Sequence, residues 1–278
     1  MTNRSCDLHT HSHFSDGTWS PTAIIEEAEK IGLSYVALTD HNNINGLEEF
    51  VKAAEGKSVK AIRGIEISTD YKDKELHIVG LDIPEEKLGD IEMLVQKMRE
   101  RKERVNIQLV KNLNKGGYKI DLEKIKREAN GFFNRAHIAS ALFDAGYVSS
   151  VTEAFETLIS KKSEFYVPHQ RLDSLETIAF LKSIGVVAVL AHPFLELDEQ
   201  GLREFLTKAK PLGLDAIETH YSTYDEETTR LAEKIADEFG IKQSGGSDFH
   251  GYRKPDISLG IGRGNLFVPA EFAENLLA

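Results

Sequence analysis

With 278 residues, 41% of them apolar and 28% charged, the chain has room for one large domain or one domain carrying an insertion, and without a run of ~18 apolar residues it is not expected to cross a membrane. Its net charge of −11 argues against a general nucleic-acid coat protein but not against an anionic substrate, because bound metal ions reverse the local potential where carboxylates are ligands. The one cysteine, Cys6, excludes internal disulfides, and the polar Met1–Cys6 segment has no apolar signal-peptide core, so a reducing, cytoplasmic setting is expected, with Cys6 a small buried filler.

Taken in chain order, short β-rich apolar runs alternate with amphipathic helical patterns. Cys6–His9 reads as a first strand. A helix over Pro21–Ile31 follows, with Ser20 as N-cap and Pro21 at the first helical position. Tyr35–Thr39 is a second strand and Gly46–Ala54 a second helix. Val59–Ile67 and Leu76–Leu81 are the next strands. After the middle of the chain, the helix Leu175–Ile184 leads to the strand Val186–Leu190, Leu202–Ala209 to Ala216–Glu218, and Glu226–Phe239 to Ile241–Ser244, with Leu266–Val268 as a candidate last strand. Such alternation specifies an α/β fold with a mostly parallel sheet.

The stretch from Glu85 to Lys162 lacks a strand pattern. Ile91, Leu94, Val95, Met98, Val105, Leu109 and Leu113 recur at helical spacing, broken once near Arg101-Lys102, and Gly116-Gly117 closes the run. Leu122–Ala129, Ala136–Ala145 and Val151–Ile159 read as three shorter helices. The expected organisation is therefore a discontinuous barrel, residues 1–84 and 163–278, interrupted by a helical subdomain, residues 85–162. Between Lys97 and Arg127 the insertion carries 11 Lys/Arg against 4 Asp/Glu, either a solvated helix face or a lid that attracts phosphate.

Potential ligands sit at the strand ends. His9 and His11, two apart in an extended segment, face the same side and offer both imidazoles to one metal; His13 and Asp16 follow closely. Asp40-His41 follows the second strand, Glu66 lies near the end of the third, and His77 lies in the fourth. His192-Pro193, Glu218 with His220, and Asp248-Phe249-His250 follow the later strands. In parallel α/β barrels functional groups gather at this rim. His13, Asp40 and His220 are balanced between ligation and supporting roles, Asp40 as an acceptor for a neighbouring imidazole N–H. His169 has no strand-end argument and reads as a surface residue. Trp19 is divided between packing and stacking on a base, and Gly260–Gly264 reads as a glycine-rich turn rather than a phosphate loop, since it precedes a strand.

Asp7-Leu8-His9-Thr10-His11, Ser15-Asp16-Gly17, Leu38-Thr39-Asp40-His41, Gly64-Ile65-Glu66, Ala191-His192-Pro193 and Gly246-Ser247-Asp248-Phe249-His250, in this order, resemble the PHP (polymerase and histidinol phosphatase) family. The resemblance implies a distorted seven-stranded β/α barrel with three divalent metal ions. His9, His11, Glu66 and Asp248 would hold one ion; Glu66 would reach a second, held with His77 and His192; Asp16, His41 and His250 would hold the third. Asp248, His192, His250 and Glu66 would also serve the reaction directly. The imidazole and carboxylate mixture suits Zn, Mn or Fe.

Asn134-Arg135-Ala136-His137 is similar to the family branch of nucleoside 3′,5′-bisphosphate and AMP phosphatases and short-RNA 5′-exonucleases. It marks Arg135, whose planar fork matches phosphate oxygens, with His137 and Asn134 as candidate phosphate-binding residues; a cap or ion pair at a helix start is the competing role for Arg135. The expected activity is hydrolysis of a nucleotide phosphate monoester through a metal-bridging hydroxide. The substrate would be a small anionic phosphoester, with short RNA as a second substrate class. Alternatives are histidinol-phosphate phosphatase, an amidohydrolase, which would be expected to show a bridging lysine, and a non-catalytic metal- or nucleotide-binding module.

Overall fold

The structure is a computed structural model that describes residues 4–129, 133–168 and 171–278; His169 lies outside the described residues. By its internal contacts the chain divides into two compact units, one formed by Met1–Glu92 with Leu172–Ala278 and the other by Met93–Arg171.

The first unit is built on a nearly closed, barrel-shaped mixed sheet. Its strands are β1 (Cys6–Asp7), β2 (Tyr35–Leu38), β3 (Lys60–Tyr71), β4 (Lys74–Leu81), β6 (Val187–Leu190), β7 (Ala216–Tyr221) and β8 (Lys242–Gly246), hydrogen-bonded in that order, while the short β5 (Leu172–Asp173) pairs with the far end of β3. Beyond the end of β1 the circle is closed by Leu8 N–H donating to the Gly245 carbonyl (3.1 Å) and Asp248 N–H to that of His9 (2.8 Å). Helices α1 (Pro21–Ile31), α2 (Leu47–Ala53), α7 (Ser174–Ser183), α8 (Glu199–Ala209), α9 (Glu226–Phe239) and α10 (Ala270–Leu276) complete the unit. Local chemistry sets their ends. Ser20 accepts from the Ala23 amide ahead of Pro21, and Gly32 closes α1 at φ 79°.

Three features depart from the sequence pattern. β3 runs on to Tyr71, so Glu66 sits mid-strand, and it returns as β4 through a tight turn at Lys72-Asp73. The β3–β4 and β4–β6 pairs are antiparallel within an otherwise parallel sheet. Leu266–Val268 does not form a strand: it meets β1 through one hydrogen bond, Cys6 N–H to the Val268 carbonyl, before entering the unanticipated helix α10. The interior contains Leu8, Ala37, Ile62, Val79, Val189 and Ala216, and Cys6 packs among them. The backbone at Gly260–Gly264 is a turn, closed by a Ser258–Gly262 bridge.

The second unit contains most of α3 (Leu88–Lys115), which is unbroken through Arg101-Lys102, and α4 (Leu122–Glu128), α5 (Arg135–Asp144) and α6 (Val151–Glu156). Leu109, Leu113, Ile125, Ile138, Leu142 and Ile159 form its own core.

Candidate metal centre

Glu66 is the hub of the polar cluster. It is 1% exposed, and four imidazoles approach it: His9 Nε2 at 3.2 Å and His11 Nε2 at 3.1 Å from Oε2, His77 Nδ1 at 2.7 Å and His192 Nε2 at 3.1 Å from Oε1. A fifth, His41, brings Nδ1 to 3.0 Å from Oε2. Glu66 and His77 lie on the same face of the β3–β4 hairpin in diagonal register, since Glu66 pairs with Val79 and His77 with Ser68. Asp248 Oδ1 lies 3.1 Å from His11 Nε2, and Asp16 Oδ1 lies 3.1 Å from His250 Nε2.

The donor atoms fit divalent cations. His9 Nε2, both ring nitrogens of His11, Asp16 Oδ1, His41 Nδ1 and Glu66 Oε2 are buried without a hydrogen-bond partner, a costly arrangement unless a cation occupies the centre. Two ligand atoms each ~2.1 Å from one ion lie ~3.0–3.4 Å apart at tetrahedral or octahedral angles, the spacing seen here. Three sets have donor atoms all within 4.8 Å of one another: His9, His11, Glu66 and Asp248; His11, Asp16, His41 and His250; and His41, Glu66 and His77. His192 stands beside the last set through Glu66 Oε1, and His11 and His41 each border two sets. The division is thus less discrete than three separate ligand triads or tetrads.

The charge balance follows from this packing. Burial alone would raise the Glu66 and Asp248 carboxyls. The facing imidazoles outweigh it, His9, His77 and His41 for Glu66 and His9 and His11 for Asp248, and both lie well below the usual carboxylate range. Burial alone would lower His11 and His77; the facing Asp248 and Glu66 carboxylates push His11 up to about 9, and Glu66 with Glu75 pushes His77 up to about 10.

A layer of polar residues holds the donors. Glu218 Oε1 accepts from His9 Nδ1 and its Oε2 from the His192 amide, both at 2.7 Å. Tyr221 Oη and Lys254 Nζ both donate to Asp248 Oδ2 at 2.7 Å. Asp7 accepts from the Ser247 amide and hydroxyl and from the Gly260 amide, tying the β8 rim and the glycine turn to β1. Asp40 does not orient an imidazole: it accepts from Ser12 N–H, Ser12 Oγ and Ser15 Oγ and so pins the turn that carries Asp16. Two donor residues have left-handed backbones, His192 at φ 29° and Asp248 at φ 55°, a strain typical of sites whose surroundings over-determine them.

Two histidines considered at this rim fall outside it. A β-bulge between Glu218 and His220 breaks the strand period. His220 therefore packs on Phe272, with Nε2 3.6 Å from Glu233, and burial pushes its pKa down. His13 is exposed and stacks on Phe14. Trp19 packs edge-on against Phe249. The roles of Glu218, Tyr221, Lys254 and Asp7 escaped sequence reasoning. Only Asp7, inside the first motif, and Glu218, at a strand end, carried a signal.

In the second unit, Asn134 is the N-cap of α5. Its side chain accepts from the Ala136 and His137 amides, and His137 Nδ1 accepts from the Asn134 amide in return. These amides, being capped, are not free to face an anion. Arg135 opens the helix with its guanidinium 5.8 Å from the ring centroids of both Phe155 and Tyr166, and its buried Nε has no hydrogen-bond partner. It neither caps the helix nor forms an ion pair among the described residues.

Residues 7–171 match the PHP domain. The 5′-3′ exoribonuclease Rnm of Escherichia coli is 31% identical over 271 residues, covering 95% of this chain and 90% of that protein. The 3′,5′-nucleoside bisphosphate phosphatase of Chromobacterium violaceum is 28% identical over 247 residues, covering 88% and 86%. A solved structure from Bifidobacterium adolescentis, described as that of a metal-dependent phosphoesterase, superposes with a TM-score of 0.70 at 27% identity, covering 99% of this chain and 96% of that one.

Proposed function

Because the chain belongs to the PHP family of metal-dependent phosphoesterases, we propose that it hydrolyses a phosphate monoester of a nucleotide, of the nucleoside 3′,5′-bisphosphate or AMP type, in the cytoplasm. The observation that carries the reading is the convergence of unpartnered buried nitrogen and oxygen atoms around Glu66. Three divalent ions, of Zn, Mn or Fe type, would be held by His9, His11, Asp16, His41, Glu66, His77, His192, Asp248 and His250. Bound ions supply Lewis-acid polarisation of phosphoryl oxygens and a water acidified to a pKa of about 7.

The chain's own residues set the geometry of that reaction. His9, His11 and Glu66 form a floor closed to solvent, whereas Asp16, His41 and His77 are partly exposed. The phosphoryl group therefore approaches over this second edge. Lys254, part-exposed beside Asp248, adds a positive charge near that approach. The substrate class is supported by the Asn134–His137 motif and by the bisphosphate phosphatase relative. We assign phosphate binding to Arg135, with its unpartnered Nε, and to His137 and Asn134.

A second reading, 5′-exonuclease action on short RNA, is favoured by the exoribonuclease relative and uses the same chemistry. Protein replete with Mn²⁺ should release inorganic phosphate from a nucleoside 3′,5′-bisphosphate, while a 3′-labelled oligoribonucleotide with a 5′-phosphate, analysed on a gel, keeps its chain length. Stepwise shortening of the oligomer would replace the first reading with the second, and no hydrolysis of either substrate would remove both.

A further inference from the structure

Glu218 is 1% exposed and lies within β7, just before the bulge, as a buried carboxylate beside the cluster that would be expected to serve as a ligand. Both of its oxygens are instead committed to donor-bearing residues. Oε1 accepts from His9 Nδ1 and Oε2 accepts from the His192 backbone amide, each at 2.7 Å. We infer that Glu218 is a positioning residue that couples two parts of the metal centre, fixing the tautomer of His9 and the backbone of His192 through one carboxylate. This rests on the metal-centre reading above.

The His9 arm follows from imidazole chemistry. A neutral imidazole has one N–H and one lone pair. With Nδ1 donating to Glu218, the lone pair must lie on Nε2, the atom that faces Glu66 Oε2 at 3.2 Å and Asp248 Oδ1 at 3.7 Å without a hydrogen-bond partner. A carboxylate behind an imidazole also makes it a stronger donor toward a cation. The His192 arm is a backbone restraint. His192 is held at φ 29° and ψ 54° immediately before Pro193, a conformation that a β-branch-free L residue still disfavours. The hydrogen bond from its amide to a buried carboxylate holds this bend and with it Nε2, 3.1 Å from Glu66 Oε1. His9 and His192 stack with ring centroids 5.7 Å apart, so Glu218 and Glu66 brace the pair from opposite sides.

Both arms need an acceptor, and this makes glutamine a sharp probe. In Glu218→Gln one oxygen is replaced by an NH₂ that can only donate. Facing His9, it forces the proton onto Nε2 and removes that donor atom. Facing His192, it opposes an amide N–H and releases the bend. Either orientation weakens the centre without changing side-chain volume.

The test is Mn²⁺ titration of the metal-free wild type and Glu218→Gln, with metal content by elemental analysis and thermal unfolding of the metal-free proteins alongside. A 10–100-fold weaker Mn²⁺ affinity in the variant, the range for loss of a residue that orients a ligand, with the KM for a nucleoside bisphosphate within about twofold and kcat reduced at least tenfold, supports the inference. Wild-type affinity and metal complement in folded Glu218→Gln would overturn it, even if the metal-free variant unfolds at a lower temperature. A wild type that binds no Mn²⁺, Zn²⁺ or Fe²⁺ would instead overturn the metal-centre reading. Should the variant not fold, ¹⁵N NMR of Zn²⁺-loaded wild type decides: His9 protonated at Nδ1 and metallated at Nε2 supports the inference, and metallation at Nδ1 refutes it.

Discussion

Tyr221 donates its hydroxyl to Oδ2 of Asp248 at 2.7 Å, from the residue that follows His220 beyond the bulge in β7. The same oxygen receives Lys254 Nζ, so the carboxylate is turned with Oδ1 toward His9 and His11. Tyr221→Phe removes one of two restraints and leaves the charge in place. A hydrogen bond to a charged group contributes about 1.5–3 kcal/mol, but Lys254 retains part of the orientation. The expected result is a kcat about tenfold lower with metal content near the wild-type value. Unchanged kcat would show that Lys254 alone orients the carboxylate.

Asp248→Asn separates charge from shape. Asp248 has φ 55°, a left-handed conformation that asparagine tolerates as readily as aspartate. The backbone should therefore survive, while the Oδ1 charge beside His9 and His11 is lost. Activity should disappear and the metal content should fall together, both read on the same purified sample. Full activity would remove Asp248 from the centre.

Much of this site was legible because its residues come in short motifs at strand ends. His9 and His11 share a face by simple period-two geometry, and both are fully buried in the cluster. Glu66 and His77 were legible as residues but not as neighbours, because nothing in the run to Ile67 showed that β3 continues to Tyr71 and folds back on itself. The bulge in β7 was not legible at all. It decides a position the sequence had left balanced, sending His220 to Phe272, and it brings Tyr221 to Asp248. Asp40 was legible as important but not in its role, since its partners are hydroxyls and an amide of the preceding turn rather than an imidazole.

The metal-free protein should lose stability as pH rises. His11 and His77 are raised to about 9 and about 10 from the ordinary histidine value of 6.5. A raised histidine contributes stability that is complete below its unfolded value and is lost as pH climbs through its folded value. The window therefore runs from about 6.5 to about 10. On the acid side Asp16, Glu66 and Asp248 lie below their ordinary values; their contribution is present above those values and is lost as pH falls. Protein treated with EDTA should show a falling Tm between pH 6.5 and 10. Added Mn²⁺ should raise Tm more at pH 8.5 than at pH 6, because metal must displace protons from the histidines. A Tm of the metal-free protein that is flat or rising across the alkaline window would contradict this assignment of charge.

Asp40→Ala should injure the centre unevenly. Asp40 is buried and accepts three hydrogen bonds from Ser12 and Ser15. Its removal leaves the Ser12 amide without an acceptor and frees the turn that carries Asp16. Asp16 faces His250 and His11, whereas His9, Glu66 and Asp248 do not depend on that turn. Elemental analysis should show fewer bound ions per chain rather than none. Loss of the whole complement would mean that the sets are not separable.

Arg135→Ala should act on substrate rather than metal. The guanidinium lies across Phe155 and Tyr166, within a unit that has its own apolar core, and among the described residues no candidate metal set includes a residue of that unit. Truncation removes the planar donor fork and its cation–π contacts, the latter contributing roughly 0.5–1 kcal/mol at exposed sites. If the fork binds a substrate phosphate, loss of one charge-assisted hydrogen bond, about 1.5–3 kcal/mol, raises KM for a nucleoside 3′,5′-bisphosphate roughly 10–100-fold. Metal content and hydrolysis of a small phenyl phosphate should change little. Equal losses on both substrates, or a fall in bound metal, would make Arg135 a structural residue of α5 instead.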